Sequence, residues 1–223
     1  GDDGTLWYLL RSKYPYTYLL GAPGQGKSTI SQYLCQIHRA SLLDSVETSV
    51  GRPAESIDDP KLPLRVDLRD YGSWLAGRDP FADEVESRKT KPRSGTERSL
   101  ECFLADFCRY HSGGRAVGVD DIQAFTESYP TLLVLDGLDE IANDTLRKTV
   151  VEQIDHMTRR LANSEIAKRH FQVLVTARPN ASQLPEPDRS RFLTISLEPL
   201  PLGLQQEYVT RWAEVHGVTG AQV

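Results

Sequence analysis

Cysteine is scarce in this 223-residue sequence, and the three present (Cys35, Cys102, Cys108) include no Cys-x-x-Cys pair. That spacing argues against a disulfide framework and a thiolate metal site. An odd count of scattered thiols points to a reducing compartment, the cytoplasm, with the cysteines packed as small apolar groups on helix-like stretches. Long apolar runs are missing as well. None approaches the roughly eighteen residues a membrane span needs, and no charged-then-apolar targeting segment stands at the start. Positive charge is not in excess: 26 Lys and Arg face 31 Asp and Glu, for a formal net charge of −5. This excludes a generally nucleic-acid-coating surface and leaves room only for a local basic patch. The five histidines (His38, His111, His156, His170, His216) have no metal-ligand spacing, and no serine elbow or catalytic-cysteine pattern occurs. Metalloenzyme and covalent-hydrolase chemistry drop out. What remains, 39% hydrophobic and 26% charged residues, suits a globular chain with one large α/β domain, or one and part of a second.

One stretch stands out, Gly21-Ala22-Pro23-Gly24-Gln25-Gly26-Lys27-Ser28 followed by Thr29. It fits the pattern G-x-x-x-x-G-K-[ST], and its flanks suit it. Tyr16, Tyr18, Leu19 and Leu20 read as an incoming strand, while Ile30, Leu34 and Ile37 read as one apolar helix face. Glycines let the backbone curl so that successive N–H groups point at phosphate oxygens, and the helix N-terminus adds partial positive charge. Lys27 would reach the β- and γ-phosphates and Ser28 would hold Mg²⁺. The pattern predicts nucleotide binding.

A second site lies in Thr131-Leu132-Leu133-Val134-Leu135-Asp136-Gly137-Leu138-Asp139-Glu140. The unbroken apolar run Leu132–Leu135 predicts a central parallel strand covered on both faces. An acid directly after it stands at the strand's C-terminal tip, the edge where ligands bind in open α/β sheets. Asp136 is thus expected near the metal, through water. Glu140 is expected to deprotonate the attacking water, with Asp139 supporting the metal or the water.

Elsewhere the signals are structural. Leu6 to Leu10 is an apolar lead-in whose Trp7 or Tyr8 could approach a base, though core packing is the simpler reading. Ser41 to Pro60 reads as a loop. Leu62 to Leu68 alternates as a strand; Arg69 or Asp70 at its end could approach the ligand, with a solvated strand end the simpler reading. Residues 77–99 are polar, charged and almost free of apolar residues after Val85, which predicts a mobile surface excursion. Its basic half could meet nucleic acid, but the acidic half lies alongside. Leu100, Phe103, Leu104 and Phe107 predict a helix ended by Gly113 and Gly114. Asp120 with Gln123 predicts a capping box. Leu146, Val150, Ile154, Met157 and Leu161 predict a long helix. Phe171 to Thr176 predicts a strand stopped at Pro179, with Arg178 at its tip a candidate γ-phosphate sensor. Leu193 to Leu197 predicts a last strand, and Leu204, Tyr208, Trp212 and Val215 an amphipathic helix.

In this order, GAPGQGKST, LLVLDGLDE and VLVTARP resemble the motifs of NACHT domains, members of the STAND class of signalling ATPases related to AAA+ proteins. LPLRVDLRDY is similar to that family's second strand. The resemblance covers about Tyr16 to Gly217. It implies a P-loop NTPase (AAA+-like, ASCE) three-layer α/β sandwich with a parallel five-stranded sheet of order 5-1-4-3-2. It further implies binding of ATP or ADP with Mg²⁺ and slow hydrolysis serving a switch in innate-immune or antiviral defence. Such switches self-oligomerise on meeting a trigger ligand and carry linked sensor and effector domains. The absence of an N-K-x-D or T-K-x-D motif agrees with adenine. On this reading residues 1–200 form the nucleotide-binding domain and 201–223 the first helix of a helical lid, in a piece cut from a longer protein. The rival reading is an AAA+-like motor or loader acting on nucleic acid or protein, for which Arg189 or Arg191 would be the arginine donated to a neighbouring subunit.

Overall fold

In the computed structural model the described residues are 5–11, 14–43, 57, 59–81, 98–165, 167–179, 185–199 and 201–216. They form an α/β fold around five parallel strands. These are β1 (Tyr16–Leu20), β2 (Leu62–Asp67), β3 (Thr131–Asp136), β4 (Phe171–Ala177) and β5 (Leu193–Ser196). Their spatial order is β2-β3-β4-β1-β5, which read from the other edge is the expected 5-1-4-3-2. β3 and β4 are almost wholly buried, as their apolar runs require. The edge strand β2 carries Pro63, which has no N–H to offer a further strand.

Strand residues alternate between two faces. Leu19, Leu132, Val134 and Leu174 pack with Leu34 of α2 (Lys27–Leu42) and Leu9 of α1 (Thr5–Arg11). Val66, Leu133, Leu135, Val173 and Val175 face the opposite core. There they meet α3 (Leu68–Leu75), α4 (Leu100–His111), α5 (Val119–Ser128) and α6 (Asp144–Asn163). A short α7 (Ala167–His170) leads into β4, and α8 (Leu202–His216) follows β5. Helices therefore cover both faces of the sheet. Among the described residues no helix is long and apolar enough to cross a membrane.

Several expectations need correction. β2 stops at Asp67, whose side chain accepts a hydrogen bond from Arg69 N and so caps α3. Arg69, Asp70 and Tyr71 are thus helical, and Tyr71 is a fully buried core residue rather than a solvated strand end. The cap of α5 is not Asp120: Asp121 reaches back to accept from Gly118 N at 2.8 Å, which places Asp120 inside the first turn. Tyr8 is exposed, not core; the Trp7 side chain lies outside the described residues. α2 extends through Ser41 and Leu42, so the loop expected from Ser41 begins later, and most of it lies outside the described residues. Of the excursion expected at 77–99, residues 82–97 lie outside the description. Phe81 stacks on Phe103 and Tyr110 at centroid distances of 5.7 and 5.2 Å, Arg98 donates to Leu75 O, and Ser99 caps α4. These flanks are therefore tied to the body.

Candidate functional site

All five strands end at the same edge, because all run parallel, and the predicted site residues collect there. The loop from β1 to α2 is tied to the sheet by Gly21 N, which donates to Ala177 O of β4 at 3.1 Å. Gly24 and Gly26 have φ of 78° and 84°, a left-handed conformation that side chains with a Cβ resist. A Cβ on Gly21 would lie 3.1 Å from Lys27 Cγ and 3.2 Å from both Gln25 Oε1 and Leu197 Cδ1. The Gln25 side chain closes the loop by accepting from Ala22 N, and Gln25 N donates to Ala22 O at 3.2 Å. Pro23 stands exposed at the rim.

α2 begins at Lys27 without a side-chain cap and without an acid in its first turn. Ser28 and Thr29 are exposed on that turn. An uncapped helix start free of carboxylates leaves its N–H groups and partial charge available to an anion. Lys27 Nζ folds over the loop to Gly21 O at 2.5 Å and Ala22 O at 3.3 Å. Burial holds its pKa below the ordinary lysine value. Asp139, Asp136 and Glu140 oppose that shift, while Arg178 adds to it. The lysine thus shares one electrostatic neighbourhood with all four site residues predicted from the distant motifs.

The acids around it are arranged in pairs. Asp136 is 7% exposed; its Oδ1 accepts from Thr176 Oγ1 and its Oδ2 from Arg65, each at 2.5 Å. Thr176 Oγ1 in turn accepts from Gly137 N at 2.9 Å, which fixes the start of the following turn. Asp139 accepts from Arg178 N at 3.0 Å and forms an ion pair with Arg178 Nε at 2.9 Å. Asp67 pairs with Arg69 at 3.1 Å. Glu140 is different. It ends the 3₁₀ turn Leu138–Glu140 and is exposed. Among the described residues its carboxylate accepts no hydrogen bond and forms no ion pair. Its field nevertheless reaches Lys27 and Arg69, and its side chain curls over Gly137.

Phosphate fits this set: a curled loop, a free helix start, one ammonium and the exposed Arg178. A divalent cation fits only in company. Among the described residues no group of three or more His, Cys, Asp or Glu could hold one, so Ser28 and Asp136 would need phosphate oxygens and waters to complete a magnesium shell. Arg189 and Arg191, by contrast, are in ion pairs with Glu186 and Asp188 of the same chain, at 2.5 and 3.5 Å.

Arg65 and Thr176 are the site residues whose roles sequence reasoning missed. Arg65 interrupts the apolar pair Leu64 and Val66, so alternation turns it toward the α2 face. A charged residue there needs a partner. No family model matches this chain, and no curated protein matches it either.

Proposed function

We propose that this chain is the nucleotide-binding domain of a NACHT-like STAND switch with a P-loop NTPase fold, binding ATP and ADP with Mg²⁺ and hydrolysing ATP slowly. One observation carries the reading. Asp136, Asp139 and Asp67 are each matched to an arginine, whereas Lys27 and Glu140 have no ion pair among the described residues. These are the phosphate-binding cation and the general base that phosphoryl transfer to water requires.

In this reading the loop N–H groups and Lys27 hold the β- and γ-phosphates, and Arg178 offers its free guanidinium nitrogens to the γ-phosphate. Glu140 accepts a proton from the attacking water as the water oxygen bonds to the γ-phosphorus and the bond to the ADP oxygen breaks. Ser28 and Asp136, together with the phosphates, would hold magnesium, which would supply charge neutralisation when bound. Arg178 and Lys27 both sense the γ-phosphate, so they favour whichever conformation ATP binds better. Moving a two-state ratio from 1:99 to 99:1 takes about 5.5 kcal/mol of differential binding, and these two charge-assisted contacts supply part of it. Such a switch works in the cytoplasm, assembles with copies of itself, and answers a trigger through sensor and effector domains.

The test is to denature the full-length protein as purified and identify the released nucleotide. Near-stoichiometric ADP supports the self-trapped switch. An empty, fast-exchanging site whose ATP turnover rises with DNA or RNA contradicts it.

A further inference from the structure

Arg65, Asp136 and Thr176 lie on the α2 face of the sheet. Register fixes this: Arg65 is opposite Val134, and Val134 is opposite Leu174, so residues two further along β3 and β4 share the face. Both Asp136 oxygens are taken, Oδ1 by the Thr176 hydroxyl and Oδ2 by Arg65. The Asp136 side chain is 9% exposed and the Arg65 side chain 36%. A carboxylate so buried needs a compensating positive charge. Arg65 provides one from within the chain, and its partial exposure gives it a route away.

Resting on the nucleotide reading above, we propose that Arg65 is an internal counter-cation that competes with a divalent metal for Oδ2 of Asp136, and so sets the metal dependence of nucleotide binding. With Arg65 in place, Asp136 does not repel phosphate when metal is scarce. Without it, the bare carboxylate repels the phosphates until a metal neutralises it. Arg65 therefore makes the site tolerant of metal loss and weakens its hold on the metal.

The experiment measures the affinity of the full chain for a fluorescent ADP, in Mg²⁺ and in EDTA, for wild type and Arg65→Met. Methionine keeps the apolar stem's volume and removes the charge. Wild type is expected to change by less than about threefold between the two conditions, and R65M to lose about tenfold or more in EDTA while binding normally in Mg²⁺. An equal Mg²⁺-to-EDTA ratio in both proteins overturns the proposal. Failure of the wild type to bind ADP in either condition instead overturns the nucleotide reading, and this inference with it. Should R65M alone not fold, Asp136→Asn removes the charge that Arg65 balances. In that background R65M is expected to leave the ratio unchanged within about twofold, the two sites being coupled. A change as large as R65M produces in the presence of Asp136 would show that Arg65 acts elsewhere.

Discussion

Arg178 and Asp139 meet twice: Asp139 Oδ1 accepts a hydrogen bond from Arg178 N, and Oδ2 forms an ion pair with Arg178 Nε at 2.9 Å. The aspartate is nearly buried and the arginine half-exposed, with side-chain exposures of 9% and 49%. The ion pair at Nε holds the guanidinium against Asp139 and leaves its terminal nitrogens for a ligand. Asp139 is thus placed to position Arg178, alongside the metal or water support its sequence position suggests. Asp139→Ala should reduce ATP hydrolysis by about 10- to 100-fold with little loss of ADP affinity, and Arg178→Ala should add little to it, because residues acting as a unit are non-additive. Multiplicative effects in the double mutant would show that the two act separately.

Glu140→Gln removes the unpaired carboxylate with almost no change in shape. Single-turnover hydrolysis should fall by about 10²- to 10⁴-fold, the range of a lost general base, while ATP still binds. Wild-type turnover in this variant would remove Glu140 from the base role.

Gly137 supports the same carboxylate. Its φ is 81°, and an added Cβ would lie 3.2 Å from Glu140 Cδ. Gly137→Ala should cost about 1–2 kcal/mol of stability from left-handed strain and should also displace Glu140. Denaturant titration and turnover would both register it; nucleotide affinity should not.

His38 gives a pH test away from the site. It is 2% exposed, and its Nδ1 accepts from Lys61 N at 3.0 Å, joining α2 to the start of β2. Burial, with Lys61 adding to it, pushes its pKa from 6.5 down to about 4. The fold therefore holds the neutral imidazole. Its contribution is complete above the unfolded pKa and is lost as pH falls toward the folded one, by about 2 kcal/mol between about pH 7.5 and pH 5. Urea unfolding should show that loss in wild type and a flatter profile in His38→Gln. Equal slopes would mean the imidazole titrates freely.

The sheet was legible because the strands are apolar runs bounded by turn residues, and Leu132–Leu135 needed no tertiary information. The loop between β1 and α2 was legible because glycine is required at its left-handed positions. Pairings across the chain were not. Arg65 and Asp136 are 71 residues apart, so alternation can turn Arg65 toward α2 but cannot name its partner. The start of α3 was hidden because the alternation of β2 runs on through Leu68, whereas the decisive signal is Asp67 capping Arg69. Asp120 and Asp121 differ as caps only by which one reaches Gly118 N, a matter of backbone direction.

The most direct measurement is calorimetric binding of ADP and GDP, with Mg²⁺, to wild type and Lys27→Ala. Saturable ADP binding, weaker GDP binding, and a loss of roughly tenfold to a hundredfold on removing the ammonium are expected, the last being the value of a charge-assisted hydrogen bond. No ADP binding, or equal binding by both proteins, would contradict nucleotide binding through Lys27.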